Sequence, residues 1–198
     1  MPMKKISSIL ILFFAVLFLW QCGVKRIDVL LSPDFNQFIS KTSVFSLLPK
    51  QLKFCPGDFI DKRSDTTNLG AYNRDMYDYS FRTKQSLGNL IFKGLEKLLL
   101  NSEQQWLEPN AADIRIDLRL LNTNTEINQS LSGKYHVALQ VRLDFIEIKS
   151  AKVIYYGIYK GADSESDSVA AGFDTAIIQC INLVGQDKDL GKVLSKLN

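Results

Sequence analysis

Ile114-Arg-Ile-Asp-Leu-Arg-Leu-Leu121 and Tyr135-His-Val-Ala-Leu-Gln-Val-Arg-Leu-Asp-Phe145 decide the fold. In the first, Ile114, Ile116, Leu118 and Leu120 alternate with Arg115, Asp117 and Arg119. In the second, Tyr135, Val137, Leu139, Val141, Leu143 and Phe145 alternate with His136, Ala138, Gln140, Arg142 and Asp144. Strict alternation gives each strand one buried and one wet face, the pattern of an antiparallel sheet covered on one side. A third strand is expected over Val153 to Lys160, with turns at Asn128 to Gly133 and Ser150-Ala151.

Charge orders the possible registers. Pairing Arg119 with Arg142 sets Asp117 against Asp144, and like charges directly opposite are unfavourable. The register joining Asp117 to Arg142 and Arg115 to Asp144 removes that conflict and is the one expected; a shifted alternative joins Arg119 to Asp144. A two-residue hairpin at Ser150-Ala151 would turn Ile154, Tyr156 and Ile158 towards the core with Leu143 and Phe145. Tyr155 and Tyr159 would then stand on the wet face beside Arg142 and Arg119. Arg115, Arg119, Arg142, Tyr155 and Tyr159 form the expected partner-binding patch, being residue types enriched in interfaces. Asp117 and Asp144 partly neutralise it, so it is not a phosphate-binding strip, and no nucleic-acid partner is expected.

Helical periods flank this core. Gln85 to Leu100 carries Leu87, Leu90, Ile91, Leu95, Leu98 and Leu99 near the 3.6-residue repeat, with Thr83 or Ser80 as expected caps. The polar run Asp163-Ser-Glu-Ser-Asp-Ser168 reads as a helix start. Ala170, Phe173, Ile177, Cys180, Ile181 and Val184 then form one stripe, and Leu190 to Leu197 a short last helix. Upstream, Gly23 to Ser32 reads as a strand or tether, Pro56-Gly57 as a stop, Asp58 to Asn73 as a loop and Tyr77 to Arg82 as a strand. The expected fold class is an α/β (α+β type) sandwich: an antiparallel sheet of about four strands with two amphipathic helices packed on one face.

The N-terminus carries a different signal. Lys4 and Lys5 precede an unbroken apolar run from Ile9 to Trp20, too short to span a membrane comfortably, which needs roughly 20 residues, and suited to an export signal. It closes on Leu19-Trp20-Gln21-Cys22-Gly23. A Leu three residues before a Cys resembles the lipobox of bacterial lipoproteins, although Gln21 stands where a small residue is usual. The resemblance implies that the Cys22 thiol takes a diacylglycerol, with palmitate as the expected acyl chain, and that cleavage precedes Cys22. Two or more acyl chains anchor a protein firmly to a membrane surface. The expected organisation is a signal peptide at 1–21, a lipidated tether at 22–40 and one domain at 41–198. Lys4 and Lys5 supply two of the three net positive charges, so the mature chain is almost neutral.

Little of the sequence suggests catalysis. His136 is the only histidine, on a wet strand face with no Cys or second His at metal spacing. No glycine-rich phosphate loop is present. No cofactor, no metal and no enzyme activity are expected. Once Cys22 is lipidated, Cys55 and Cys180 remain, and an even pair in an oxidising compartment suggests a disulfide; two buried thiols are the alternative.

The signal with its cysteine, the Gln85–Leu100 helix, Gly133-Lys-Tyr135 opening the middle strand, Tyr155 to Tyr159 in the next and the Ala170–Val184 helix together resemble the YajG-like envelope lipoproteins. That set borders the LptE-type lipopolysaccharide-assembly lipoproteins and the auxiliary lipoproteins of ABC transporters. The likeness covers roughly residues 80–185 and the signal. Ser102-Glu-Gln-Gln-Trp106 departs from the Gly-aromatic step that often ends the family's first helix. The resemblance implies an α/β sandwich without cofactor or catalysis. The expected function is that of a non-enzymatic, membrane-anchored lipoprotein that binds another envelope protein through the open sheet face. A small-ligand or lipid carrier, or a surface-exposed lipoprotein meeting host molecules, is the alternative. The expected place is the cell envelope, at the outer rather than the inner membrane and on the periplasmic side rather than the cell surface.

Overall fold

The computed structural model describes residues 24–40, 42–49, 51–74, 77–127 and 133–197. The expected signal peptide at 1–21, Cys22 and most of the expected Asn128–Gly133 turn lie outside the described residues. The elements run β1 (Val24–Asp28), α1 (Phe35–Phe38), a 3-10 turn (Val44–Leu47), β2 (Lys53–Asp61), β3 (Asn68–Arg74), β4 (Tyr77–Arg82) and α2 (Leu87–Asn101). There follow β5 (Gln105–Trp106), a 3-10 turn (Pro109–Ala111), β6 (Ile114–Ile127), β7 (Tyr135–Glu147), β8 (Lys152–Ser166), α3 (Val169–Gln186) and α4 (Lys188–Leu194).

The architecture is α+β, but with two sheets rather than one of four strands. A five-stranded sheet has the order β5-β2-β6-β7-β8, and a three-stranded sheet the order β1-β4-β3. The meander β6-β7-β8 is antiparallel, whereas β2 runs parallel to both β5 and β6. The smaller sheet rests on the C-terminal half of β6. Thr123 and Thr125 donate their hydroxyls to Asn68 O and Leu69 O at 3.2 and 2.9 Å. Gly70, at φ +140°, makes that approach possible: a Cβ there would fall 2.6 Å from Thr125 N.

Both long helices cover one face of the larger sheet, as their stripes require. Leu87, Ile91, Leu95, Leu98 and Leu99 of α2 and Phe173, Ile177, Cys180, Ile181 and Val184 of α3 are buried against the odd-numbered residues of β7 and the even-numbered ones of β6. At Gly161 a Cβ would lie 1.8 Å from Ala176 O, so glycine lets the α3 backbone rest on β8. The Ser168 hydroxyl accepts from Ala171 N and caps α3, while Ser86, not Thr83 or Ser80, caps α2 by accepting from Asn89 N.

Pro56-Gly57 is not a stop and Asp58 to Asn73 is not all loop, since β2 runs through Pro56-Gly57 to Asp61 and β3 starts at Asn68. Three further expectations change. First, the β6–β7 register is the one with like charges opposite: Asp117 faces Asp144 and Arg119 faces Arg142. Each aspartate instead meets an arginine two residues away on its own strand. Arg115 Nε lies 2.9 Å from Asp117 Oδ1, and Arg142 Nε donates to Asp144 Oδ1 at 2.8 Å. Arg119 Nε adds a diagonal ion contact to Asp144 Oδ2 at 3.2 Å.

Second, the turn after β7 is a four-residue loop, because Glu147 pairs with Lys152. Ala151 takes the left-handed conformation at φ 54° that this loop requires. A bulge then shifts the register between Phe145/Tyr155 and Ile146/Val153. The longer loop alone would leave the parity of β8 unchanged; the bulge reverses it, so Tyr155 and Tyr159 turn towards the core and Tyr156 and Ile158 outwards. The strand also runs on to Ser166, through the start of the polar run.

Third, the stretch read as a tether is in large part docked. β1 pairs in parallel with β4, Leu31 and Ile39 are buried, and Gln85 brackets Leu31 by accepting from its N–H and donating to its carbonyl. Asn182 of α3 similarly accepts from Ser40 N and donates to Phe38 O.

Candidate interaction face

The sheet face opposite the long helices is built by the alternate residues of β6, β7 and β8. Arg115 and Arg119 on β6 and Arg142 on β7 all lie there, as expected, and each side chain is partly open to solvent. Between the last two sits Asp144, whose side chain is only 2% exposed. Two flanking guanidinium groups hold that charge, as burial of a carboxylate requires. Asp117 also accepts from Asp58 N at 3.1 Å, which ties the neighbouring strand β2 to this polar ladder.

The aromatic component differs from the expected one. Tyr155 and Tyr159 are not on this face. Tyr155 leans on Phe145 with ring centroids 6.2 Å apart, and Tyr159 is only 6% exposed. Both donate to one oxygen of Asp187, at 2.7 and 2.8 Å. Burial, aided by that bond, pushes both phenols well above the usual tyrosine range. On the outer face stand Tyr156, 58% exposed, and Ile158, 54% exposed. The Arg142 guanidinium lies 4.4 Å from the Tyr156 ring centre, a cation–π contact that holds both groups in place. The charge pattern at the turn bears on the loop alone, since a two-residue hairpin sets Lys149 against Lys152 and the observed loop sets Glu147 against Lys152; the bulge that turns the tyrosines inwards has no such signal.

The two cysteines are free and do not meet. Cys55 pairs in register with Arg115, on the outer side of β2. Cys180 lies among the core residues on the helix-covered side, with its thiol towards Leu139 O and Tyr159 O at 3.7 and 3.6 Å. The sheet separates them, so the expected disulfide is absent. Burial raises both thiols, Cys180 to about 12, which makes each a poor nucleophile. His136 sits opposite Glu126 on the outer side. Among the described residues, no group of three or more His, Cys, Asp or Glu side chains is arranged to hold a metal ion.

The layer between helices and sheet is filled by Phe54, Phe145, Phe173 and the leucines of α2. A cleft of about 580 Å³ opens elsewhere, between the end of β2 and the start of α2, lined among others by Phe59, Asp61, Thr83, Gln85 and Leu87. No described helix is long and apolar enough to cross a membrane.

No family model matches the chain, and no curated protein matches its sequence. Solved structures do. Protein XCC0632 from Xanthomonas campestris, of family DUF330, superposes with a TM-score of 0.55 at 12% identity, over 82% of this chain and 93% of that one. The PelC dodecamer protein from Paraburkholderia phytofirmans gives 0.45 at 11% identity, over 75% and 91%. Lipoprotein GNA1162 from Neisseria meningitidis gives 0.40 at 7%, over 61% and 88%. The first of these likenesses is one of fold.

Proposed function

We propose that this chain is a non-enzymatic envelope lipoprotein, anchored through Cys22, that binds another envelope protein through the open face of its larger sheet. The observation that carries the reading is the uncovered cation–aromatic ladder of Arg115, Arg119, Arg142, Tyr156 and Ile158. Large exposed apolar side chains set among fixed arginines are the composition of protein-binding patches. The filled layer beneath the helices supports this over the carrier reading.

The anchor gives the face an orientation. Only Gly23 lies between Cys22 and Val24, a reach of about 7 Å at most. Val24 pairs with Asp78, near the pole where Tyr72 meets Tyr135 and where Ile127 of β6 pairs with Tyr135 of β7. At about 3.3 Å per residue, Arg142 stands about 20 Å from that pole, and Arg115 further still. The face would therefore rise from the membrane rather than lie on it, accessible to a partner in the adjoining aqueous space.

The test is a cross-linked pull-down from native membranes with the wild-type chain and with Arg142→Ala and Tyr156→Ala variants. A protein captured by the wild type and lost from both variants supports the reading. Equal capture by all three removes this face as the site.

A further inference from the structure

β8 is the last strand of the larger sheet, with β7 on one side only. Its other edge is partly covered: Gln179 of α3 accepts from Ala162 N at 3.0 Å. That bond also shows which main-chain groups turn away from β7, since in an antiparallel ladder alternate residues point their N–H and C=O to opposite sides. The pairing from Tyr155 to Ala162 is free of register shifts, so Tyr156, Ile158 and Lys160 share the outward direction of Ala162. Among the described residues, no main-chain or side-chain group outside the strand meets those N–H and C=O groups. The same three residues carry exposed side chains on the outer face.

The strand is also self-complementary. Its start is basic, with Lys149 and Lys152, and its end acidic, with Asp163 and Glu165. Antiparallel pairing of two such strands brings opposite charges together at both ends, whereas parallel pairing brings like charges together.

We infer that the free edge of β8 pairs antiparallel with β8 of a second copy of this chain, centred on Ile158. In this register Ile158 faces Ile158 of the second copy, and Tyr156 faces its Lys160. Every outward N–H of one free stretch meets an outward C=O of the other. The two sheets become one, and the two open faces become a single surface. So short a strand edge buries less than the 1,200–2,000 Å² or so of a standard stable interface. The membrane anchor compensates by confining both copies to one plane, which raises their effective concentration. This inference deepens the proposed binding role by doubling the same face, but the pairing itself needs no other protein.

The experiment uses full-length protein in its native membrane. Facing Cα atoms of a hydrogen-bonded antiparallel pair are about 5.5 Å apart, within disulfide reach. Ile158→Cys should therefore give a disulfide-linked dimer under mild oxidation, absent from the wild type, which keeps Cys22, Cys55 and Cys180. Leu183→Cys, exposed on α3, should give none. Ile158→Pro removes an outward N–H without touching the β7 ladder. It should keep the wild-type melting temperature and lose the dimer trapped by a lysine-reactive cross-linker. The inference is overturned if Ile158→Cys links no better than Leu183→Cys, if Ile158→Pro still dimerises, or if the thiol introduced by Ile158→Cys links to a different protein. A homodimer that forms as inferred while the wild type captures no other protein would count against the proposed function alone.

Discussion

Tyr159 donates its phenolic hydrogen to Asp187 Oδ2 at 2.8 Å, joining the last strand to the junction of α3 and α4. The other carboxylate oxygen accepts from Asp189 N and Leu190 N and so caps α4. One carboxylate thus fixes the inward parity of β8 and starts the final helix. Tyr159→Phe should cost about 1.5–3 kcal/mol, the range for a hydrogen bond to a charged group. Tyr155→Phe, closer to solvent, should cost less. Urea melts of both variants check this ordering; a neutral Tyr159→Phe would mean that packing alone holds the strand.

The same cluster should shape stability against pH. Both phenols are held above the usual range, first by burial and then by the bond to Asp187. Tyrosine in the unfolded chain titrates near pH 10, so this stabilisation is complete below about pH 10 and is lost as pH rises towards the folded values. Burial opposes the charge on Asp187, but bonds from Tyr155, Leu190 N, Tyr159 and Asp189 N outweigh it and hold the carboxyl below its usual value. Its contribution is present above about pH 4 and is lost as pH falls through the lowered value. Melting temperatures between pH 9 and 12 should fall less steeply in a Tyr155→Phe/Tyr159→Phe double variant than in the wild type.

The strand alternation of β6 and β7 and both helix stripes could be read directly, because local period and burial there coincide. The register of the first hairpin could not. The charge test considers residues directly opposite, but Asp117 and Asp144 are satisfied by arginines two positions along their own strands. The same test applied at Lys149 and Lys152 would have found the second turn. The parallel joins of β2 to β6 and β1 to β4 leave no local trace, since the paired residues are far apart in the chain. Among the candidate residues, the three arginines were correctly placed on the outer face. The tyrosines were displaced by a single bulge, since one extra residue moves every following side chain to the other face.

The observed register makes Asp144 the counter-charge for two facing arginines. Asp144→Asn keeps the shape, removes the charge and leaves Arg119 opposite Arg142. Breaking a buried ion pair costs about 3–5 kcal/mol; because both arginine side chains are partly open to solvent, we expect about 2–3 kcal/mol. Added salt should recover part of that loss by screening the arginine pair. Asp117→Asn, at a more open position, should cost less. A loss at Asp144 that does not respond to salt would show that repulsion between the arginines is not its source.

Cys55 and Cys180, free on opposite sides of the sheet, should behave independently of redox conditions. Reductant should leave the melting temperature unchanged. Both thiols should resist alkylation in the folded protein and react fully in denaturant without reductant. A linked Cys55–Cys180 peptide from non-reduced protein would contradict the placement of these residues.

Truncations along β7 and β8 separate the two faces of the sheet. Phe145 is fully buried beneath it, whereas Tyr156 stands outside under the Arg142 guanidinium. Phe145→Ala should cost about 3–5 kcal/mol through lost burial and the cavity left behind. Tyr156→Ala removes a cation–π contact at an open site, worth about 0.5–1 kcal/mol, and should leave folding nearly intact. If Tyr156 anchors a partner, the same change should weaken capture by a factor of ten or more, since hot-spot truncations cost about 2 kcal/mol or above. Ile158→Ser should follow Tyr156→Ala, and Tyr159→Ala should follow Phe145→Ala. Melts and pull-downs on the four variants read stability and binding separately. A large stability loss at Tyr156 with none at Tyr159 would return β8 to the opposite parity and remove the proposed face.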